Sequence, residues 1–352
     1  MTVQYKRTFL LVLVAAFLMT SAACVAPKSG QAAEQPAPTA EQSTVLPTDE
    51  PLPTAESIET VPITGTPIRV AALTGPTGVG LAFLPSVADN YELSLLTAPD
   101  QVVAKFTSGE ADIAAVPINL ASTLYKKTEG NVAVIAVNTL GVLYFLENGN
   151  TLSSFEDLAG KTIYATGQAS TPQYILEKLL ADAGLSDRVT VEYVAEASAL
   201  AAQLAEDNDT TIAFLPEPMV SVACAMNDSI RVAFSANDLW KSAGNPEIVQ
   251  GVYIVRKEFL QSNEALVRLF LAHASESVSR VLTDDAAADA VVELGIIGKA
   301  PIAKRAIPNC NIVLIEGEEM KRLVSSMLET LHAADPKSVG GALPADDFYY
   351  VP

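Results

Sequence analysis

Short apolar segments alternate with helix-like segments from Ile68 onward, and this alternation starts a second time at Thr162. The first series runs to Val137 and the second to Phe234. Apolar segments of roughly four to eight residues that alternate with helices are typical of βαβ units around a parallel sheet. The sequence therefore predicts an α/β protein with two lobes, followed after Lys257 by a mainly helical segment that packs back on the first lobe.

Two long apolar segments, Thr139 to Glu147 and Val249 to Val255, lie where one series gives way to the next. We expect them to be the two crossings between the lobes. The predicted division of the chain is then 67–142 for the first part of lobe 1, 143–252 for lobe 2 and 253–352 for the return to lobe 1.

The first 23 residues predict a secretory signal peptide, because Lys6 and Arg7 precede an apolar run that ends at Met19 and is followed by small residues. About eleven apolar residues are too few to span a bilayer. Cys24 comes next and resembles the lipidated cysteine of a bacterial lipobox, although Ser21 stands where that box usually has Leu. The alternative is an ordinary secretory signal in which Cys24 is incidental.

Residues 24–66 are rich in Pro, Thr and Glu and contain no aromatic residue, which predicts a disordered stalk that carries the lipid at Cys24. The full chain has a formal net charge of -19, which argues against binding nucleic acid and against electrostatic docking on anionic lipid. We expect an exported monomer, tethered by lipid to the extracytoplasmic face of the cell membrane.

Cys224 and Cys310 are the remaining cysteines. In an exported protein they could form a disulfide or stay as two buried thiols, and their separation in sequence leaves both alternatives open. Neither cysteine has a metal-type spacing, so we expect no metal and no cofactor.

Four turns that follow predicted strands carry the candidate ligand-binding residues. In open α/β sheets, ligands bind beyond the carboxyl ends of the strands, so these turns are expected to face one cleft between the lobes. The candidates are Gly75, Pro76, Thr77, Gly78, Pro117 and Asn119 in the first lobe, Thr139 and Gly141 at the first crossing, and Thr166, Gly167, Gln168, Ser170, Thr171 and Glu217 in the second lobe.

The segment from Gly75 to Gly80 has the GxxxxG spacing that starts a P-loop. Leu81 and Ala82 stand where a P-loop needs Lys and Ser or Thr, which excludes a nucleoside triphosphate site of that kind, and the spacing is not G-x-G-x-x-G either. The glycines either let backbone N–H groups approach a ligand or form a tight strand-to-helix turn without one.

Ser170 and Gln173 have the spacing of a capping box, so Ser170 and Thr171 could serve only to cap a helix. Glu217 could act as an acid or base, accept an N–H from a ligand, or cap the helix after Pro218. The two histidines, His273 and His332, lie in late helical segments and no catalytic motif is present, so we do not expect an enzyme.

Three segments together resemble the solute-binding proteins of ABC transporters. Residues 154–163 resemble the S-x-x-D-L-x-G-K-x-I entry to the second lobe, and Val255 to Leu260 resembles the returning strand and helix. The turn at Pro216–Pro218 is similar to that of the group that binds nitrate, sulfonates, taurine and thiamine precursors. This resemblance implies a type II periplasmic-binding-protein fold, with two α/β lobes joined by two hinge crossings.

The resemblance also implies a receptor that captures a small molecule and hands it to an ABC permease and its ATPase. None of the four turns contains Arg or Lys, so a sulfonate-, nitrate- or taurine-like anion would be held by helix N-termini and hydroxyls. A thiamine-precursor-like heterocycle is the alternative solute, with Glu217 accepting an N–H and Tyr144 or Phe145 offering an aromatic face. An enzyme like those of the menaquinone pathway and a ligand-sensing lipoprotein are the alternative functions, and the sequence leaves the identity and charge of the solute open.

Overall fold

The computed structural model describes residues 67–206 and 211–352, and the structural statements below refer to these residues. The predicted signal peptide (1–23), the stalk (24–66) and the lipidation candidate Cys24 lie outside the described residues. None of the described helices is both long enough and apolar enough to cross a membrane.

The strands follow the apolar segments of the sequence. They are β1 Ile68–Leu73, β2 Tyr91–Leu96, β3 Ile113–Pro117, β4 Val132–Leu140, β5 Leu143–Asn148, β6 Thr162–Ala165, β7 Thr190–Tyr193, β8 Ile212–Pro216, β9 Ile230–Ser235, β10 Val249–Arg256 and β11 Ile312–Ile315.

The helices fill the segments between the strands and most of the chain after β10. They are α1 Pro76–Val79, α2 Leu84–Val87, α3 Pro99–Thr107, α4 Ile118–Lys127, α5 Thr171–Asp182, α6 Ala197–Glu206, α7 Met219–Met226, α8 Ala236–Ser242, α9 Lys257–Ser262, α10 Glu264–Thr283, α11 Ala287–Glu293, α12 Ala300–Ala306 and α13 Gly317–Ala334. Short 3-10 turns cover Phe155–Leu158, Ile307–Asn309, Pro336–Val339 and Asp346–Phe348.

The strands form two sheets with the same internal arrangement. The first sheet has the order β11-β4-β10-β3-β1-β2, and the second has the order β7-β6-β8-β5-β9. In each sheet three neighbouring strands are parallel, and one further strand lies antiparallel beside them: β10, which returns from the second lobe, in the first sheet, and β5, which enters from the first lobe, in the second. The predicted α/β fold with two lobes is confirmed, each lobe being built on one sheet.

The chain passes between the sheets twice. Gly141 and Val142 separate the end of β4 in the first sheet from the start of β5 in the second. The return lies between the end of α8 at Ser242 and the start of β10 at Val249. The segment Val249 to Val255 pairs with β3 and β4, so the predicted boundary at 252/253 falls inside a strand of the first sheet.

Both faces of the first sheet are covered. Val70 and Ala72 of β1 pack with α2 and α10 on one face, while Ala71 and Leu73 pack with α3, α4 and α13 on the other. Such near-continuous apolar strands are expected where a parallel sheet is buried on both sides.

Asp112 anchors the start of β3 within the first lobe. Its carboxylate accepts hydrogen bonds from Arg69 (Nε to Oδ2, 3.0 Å) and from Arg256 (Nη2 to Oδ1, 2.5 Å). Burial raises the pKa of Asp112, but the hydrogen bonds from these two guanidinium groups outweigh it and hold the pKa below its usual value. The Asp112 side chain is only 3% exposed, so water cannot replace a lost partner. Removing either arginine would therefore leave the buried carboxylate with less compensation for its charge.

Candidate functional site

The backbone geometry of the turn between β1 and α1, which we call the glycine turn, requires glycine at two positions. Gly75 has φ of 90°, a conformation that residues with a side chain rarely adopt. A Cβ on Gly78 would lie 2.5 Å from the carbonyl oxygen of Leu73, which is too close for any side chain. The amide of Gly75 donates to the carbonyl of Ile296 (3.1 Å), so the α11–α12 connection lies against this turn.

Polar contacts connect the glycine turn to the end of β4, next to the first crossing. Asn138 Nδ2 donates to the carbonyl of Thr77 (3.3 Å), and Thr139 Oγ1 lies 3.5 Å from the carbonyl of Pro76 and 3.0 Å from Asn138 Oδ1. A Cβ on Gly251 would lie 2.5 Å from Thr77 Cγ2 and 2.6 Å from Asn138 Oδ1. The structure therefore brings the candidates Pro76, Thr77 and Thr139 together, with Asn138 and Gly251 as neighbours that the sequence analysis missed.

Pro117 joins this first-lobe group through the sheet. It pairs with Gly251 in the register of β3 and β10, at the carboxyl end of β3. Asn119 follows in the first turn of α4, where it is half-buried. An isolated Gly in an apolar strand often marks a close backbone or ligand approach, and this signal could have identified Gly251.

The turn from Thr166 to Thr171 in the second lobe is closed by a hydrogen bond within the turn itself. Gly167 has φ of 78°, and the Ser170 hydroxyl donates back to the carbonyl of Gly167 (2.6 Å). The Gln173 side chain accepts from the amide of Ala169 (2.7 Å) instead of from Ser170. The predicted capping box of Ser170 and Gln173 is therefore wrong, because the positive φ of Gly167 turns the loop back onto the Ser170 hydroxyl.

Glu217 lies at the carboxyl end of β8 and is only 2% exposed. Its carboxylate accepts from the amide (3.1 Å) and the hydroxyl (3.0 Å) of Ser221, one turn later in α7. Its own amide donates to the carbonyl of Val142 in the first crossing (3.0 Å). Glu217 is thus fixed beside the connection between the lobes. It also caps the start of α7, which was one of the three roles that the sequence analysis left open for it.

The first lobe reaches Glu217 through the segment that ends at Asn309. Tyr144, in β5 beside Glu217, donates its hydroxyl to the carbonyl of Asn309 (2.7 Å). Burial raises the pKa of Glu217 to about 7, while hydrogen bonds from Ser221 and Asn309 and the charge of Arg305 act in the opposite direction. We call Glu217, Tyr144, Asn309 and Arg305 the Glu217 cluster. Tyr144 was an aromatic candidate of the sequence analysis, whereas Asn309 and Arg305 were not candidates.

Gly141 lies in the first crossing, where it contacts the return connection. A Cβ there would lie 3.0 Å from Asn237 Cβ and 3.2 Å from Ile248 Cβ, and its carbonyl accepts a hydrogen bond from the Asn311 side chain. Gly141 therefore lets the two connections pack closely. Phe145, one of the two aromatic candidates, is fully buried and lies 4.6 Å from Phe214 between ring centroids, so it cannot offer its face to a solute.

The second lobe meets the first at another place through α5. The Tyr174 hydroxyl donates to Asp335 Oδ2 (3.0 Å), just after the end of α13. A groove of about 610 Å³ lies between α5 and α13, bordered by Lys178, Asp182 and Glu329 among others. None of the predicted site residues borders this groove.

The two cysteines lie within the electrostatic reach of Glu217, whereas His273 contacts a different part of the first lobe. Cys224 and Cys310 are free thiols, and burial raises the pKa of both. His273 lies against the Tyr91 hydroxyl (2.9 Å) on α10. Within the described ranges, no group of three or more His, Cys, Asp or Glu side chains has an arrangement that could hold a metal ion.

Two α/β lobes with this strand order and two connections define a type II periplasmic-binding-protein fold. The sequence profile of the NMT1/THI5-like family matches residues 92–288, more than half of the chain. The chain therefore belongs to the NMT1/THI5-like family. No curated protein sequence matches it significantly.

Solved structures with the same fold include several solute-binding proteins. An ABC transporter protein from Parabacteroides distasonis is 23% identical, with a TM-score of 0.69 over 82% of this chain and 99% of that chain. The periplasmic aliphatic sulphonate-binding protein SsuA from Escherichia coli is 18% identical, with a TM-score of 0.62 over 79% and 91%. The alkanesulfonate-binding protein SsuA from Xanthomonas axonopodis pv. citri, bound to MOPS, is 14% identical, with a TM-score of 0.58 over 82% and 100%.

Proposed function

We propose that this chain is the solute-binding receptor of an ABC importer and captures a small molecule between its two lobes. The observation that carries the proposal is the Glu217 cluster, where a carboxylate of the second lobe and Asn309 of the first face each other beside the crossing. Ligand sites are typically concave, buried at domain interfaces and supplied with a few fixed polar groups. The similar folds of sulfonate-binding proteins support the same role.

The site is proposed to extend from the Glu217 cluster to the candidate turns of both lobes. Those turns supply backbone amides and the hydroxyls of Thr77, Thr139 and Ser170. The proposal includes all the ligand candidates of the sequence analysis, with Gly75, Gly141 and Gly167 acting through the backbone geometry that they permit.

The electrostatics favour one of the two solute classes. Two like unit charges about 4 Å apart repel by about 4 kcal/mol at an effective dielectric constant of about 20. An anionic solute beside ionised Glu217 meets this repulsion, whereas an N–H donor offers the carboxylate a hydrogen bond. A neutral or cationic heterocycle is therefore the better fit beside the ionised form of Glu217, whereas a sulfonate fits there only when Glu217 is protonated or when its charged group lies elsewhere.

The receptor is proposed to work outside the cytoplasm, as a monomer held at the membrane by lipid on Cys24. It then hands its solute to a permease driven by an ATPase. An enzyme on the same fold is the second candidate, but no observed geometry favours it, since Glu217 is fixed by Ser221 and His273 contacts Tyr91 instead. A sensing role would use the same site with a different membrane partner.

Native mass spectrometry of the full chain, purified from its own host, tests the proposal. We expect a small molecule that leaves under denaturing conditions and whose mass is unchanged after prolonged incubation with the protein. A changed mass with turnover would indicate the enzyme. An unliganded protein, with no added host metabolite bound, would contradict the receptor.

A further inference from the structure

The hydroxyl of Tyr174 joins the two lobes at a place that belongs to none of the candidate turns. Tyr174 lies on α5 of the second lobe, is only 7% exposed and donates to Asp335 Oδ2 of the first lobe at 3.0 Å. It packs in the apolar cluster that also holds α13, whereas α7 and α12 contribute to other clusters. We call Tyr174 and Asp335 the interlobe pair.

Asp335 is held in a fixed position within the first lobe. Its second carboxylate oxygen, Oδ1, accepts from the amide of Lys337 (3.0 Å) and so caps the 3-10 turn Pro336–Val339. The hydroxyl of Ser122 on α4, which is 1% exposed, donates to the carbonyl of Val339 at the end of that turn (2.8 Å). The acceptor of the interlobe pair is therefore connected to α4 through two buried or capped hydrogen bonds.

The interlobe pair thus connects two helices that begin at candidate turns of different lobes. Helix α5 starts at Thr171, and Tyr174 follows three residues later. Helix α4 starts at Ile118, directly after Pro117 at the end of β3. A change in the angle between the lobes moves these two helix N-termini relative to each other, and the interlobe pair resists that movement.

The groove between α5 and α13 leaves room for such a movement. Its lining extends from Tyr174 to Asp182 on α5 and from Ala334 back to Ser326 on α13, so the interlobe pair lies at one end of it. Two polar pairs along the groove stay within one helix: Lys178 donates to Asp182 on α5 (3.0 Å), and Ser325 donates to Glu329 on α13 (3.4 Å). These pairs do not cross the groove, whereas the interlobe pair does.

We propose that the interlobe pair restrains rotation of the lobes whether or not a solute is bound, and that it thereby sets how often the chain leaves the lobe arrangement of this structure. The inference rests on the proposed receptor function, since only a receptor uses this motion for capture. A solute binds with an apparent affinity that is scaled by the fraction of molecules in the binding-competent arrangement. A pair that touches no solute can therefore tune the affinity of the site.

The distance between the two lobes, measured without added solute, tests the restraint. Nitroxide labels on non-natural amino acids replace the exposed Glu192 of the second lobe and Glu318 of the first, and double electron–electron resonance gives the distance distribution. A hydrogen bond to a carboxylate is stronger than one between neutral groups. We expect Tyr174→Phe to shift the ratio of the two lobe arrangements by about tenfold, seen as a new or enlarged second distance.

Tyr125→Phe is the matched control. Tyr125 also donates its hydroxyl to an aspartate, Asp347 (2.6 Å), but both residues belong to the first lobe, so the distance distribution should stay unchanged. Asp335→Ala is the second variant, because it removes the acceptor of the same bond. Combined with Tyr174→Phe, it should add no further shift in distance, since the bond between the two residues is already lost.

The inference is overturned if Tyr174→Phe leaves the distance distribution unchanged, if Tyr125→Phe changes it equally, or if the shifts of Tyr174→Phe and Asp335→Ala add. Should Tyr174→Phe fail to fold, Asp335→Ala compared with Tyr125→Phe decides the question in the same way. An unchanged distribution in a protein that co-purifies with a solute contradicts this inference alone. A shifted distribution in a protein that binds no solute contradicts the receptor alone.

Discussion

Replacing Glu217 by Gln should change how the stability of the protein depends on pH. The pKa of Glu217 is raised from its usual 4.5 to about 7 by burial, so folding favours the protonated form. The stability that this group contributes is fully present below pH 4.5 and is lost as the pH rises through about 7. Gln cannot ionise and therefore avoids this loss while keeping nearly the same shape.

The size of the effect follows from the shift. One pKa unit corresponds to about 1.4 kcal/mol, so a shift from 4.5 to about 7 corresponds to about 3 kcal/mol. The free energy of unfolding of Glu217→Gln, minus that of the natural protein, should rise by about this amount between pH 4.5 and pH 8. At low pH the two proteins should differ less in their free energy of unfolding, because the Glu217 and Gln side chains are then both neutral.

Urea unfolding followed by fluorescence provides the measurement. Trp240 is the single tryptophan of the chain and is 2% exposed, so its emission reports on unfolding. Glu192→Gln, at an exposed position on β7, is the control and should change the free energy of unfolding by less than about 0.5 kcal/mol. A difference between Glu217→Gln and the natural protein that stays flat from pH 4.5 to pH 8 would refute the assignment of Glu217 as a buried carboxyl.

Three further predictions concern other parts of the chain. Gly251→Ala should destabilise the protein by about 1 to 3 kcal/mol, because the added methyl group clashes with Thr77. The control Gly298→Ala has open space around it and should not destabilise the protein. Equal urea unfolding midpoints for the two variants would contradict this packing. Asp112→Asn should cost about 3 kcal/mol near pH 7, and the deficit should shrink in acid as the natural carboxylate becomes protonated, because a lowered pKa stabilises only above it. A deficit that does not change with pH would count against the ion pair. Cys24→Ser should move the protein out of the membrane fraction, and retention of labelled lipid would contradict the anchor.

The strands of the parallel sheets were predictable because each is a continuous apolar run between turns. Strands β1 and β6 begin at Ile68 and Thr162, where the two series were predicted to begin. Strand β9 ends at Ser235, one residue after the predicted end of the second series, whereas β4 continues past the predicted Val137 to Leu140. Burial on both faces leaves few polar residues inside such a strand, so its ends stand out in the sequence. The two-lobed fold follows from this pattern alone.

The return segment after β10 was less predictable. It was expected to be mainly helical, and β11, Ile312–Ile315, was missed because it is a four-residue edge strand. Its identity as a strand depends on pairing with β4, which no local pattern shows. The prediction of a helical segment also did not show that α12, a seven-residue helix, packs against α7 of the other lobe, because that contact depends on how the lobes pack.

The candidate site was predictable only within each lobe. The carboxyl ends of strands in one sheet meet at one edge, so the grouping of Thr77, Pro117 and Thr139 follows from topology. The partner of Glu217 does not follow, because Asn309 is 92 residues further along the chain and belongs to the other lobe. Tyr144 contacts it across a separation of 165 residues, which is fixed by how the lobes pack.

Small-angle scattering of the full chain, with and without its co-purified solute, tests most directly whether a solute is held between the lobes. A receptor that closes on its solute by rotation about the two connections should show a smaller radius of gyration in the complex. The decrease should saturate at the solute concentration that saturates binding in calorimetry. An unchanged radius at saturation, with tight binding established independently, would contradict capture by closure of the two lobes.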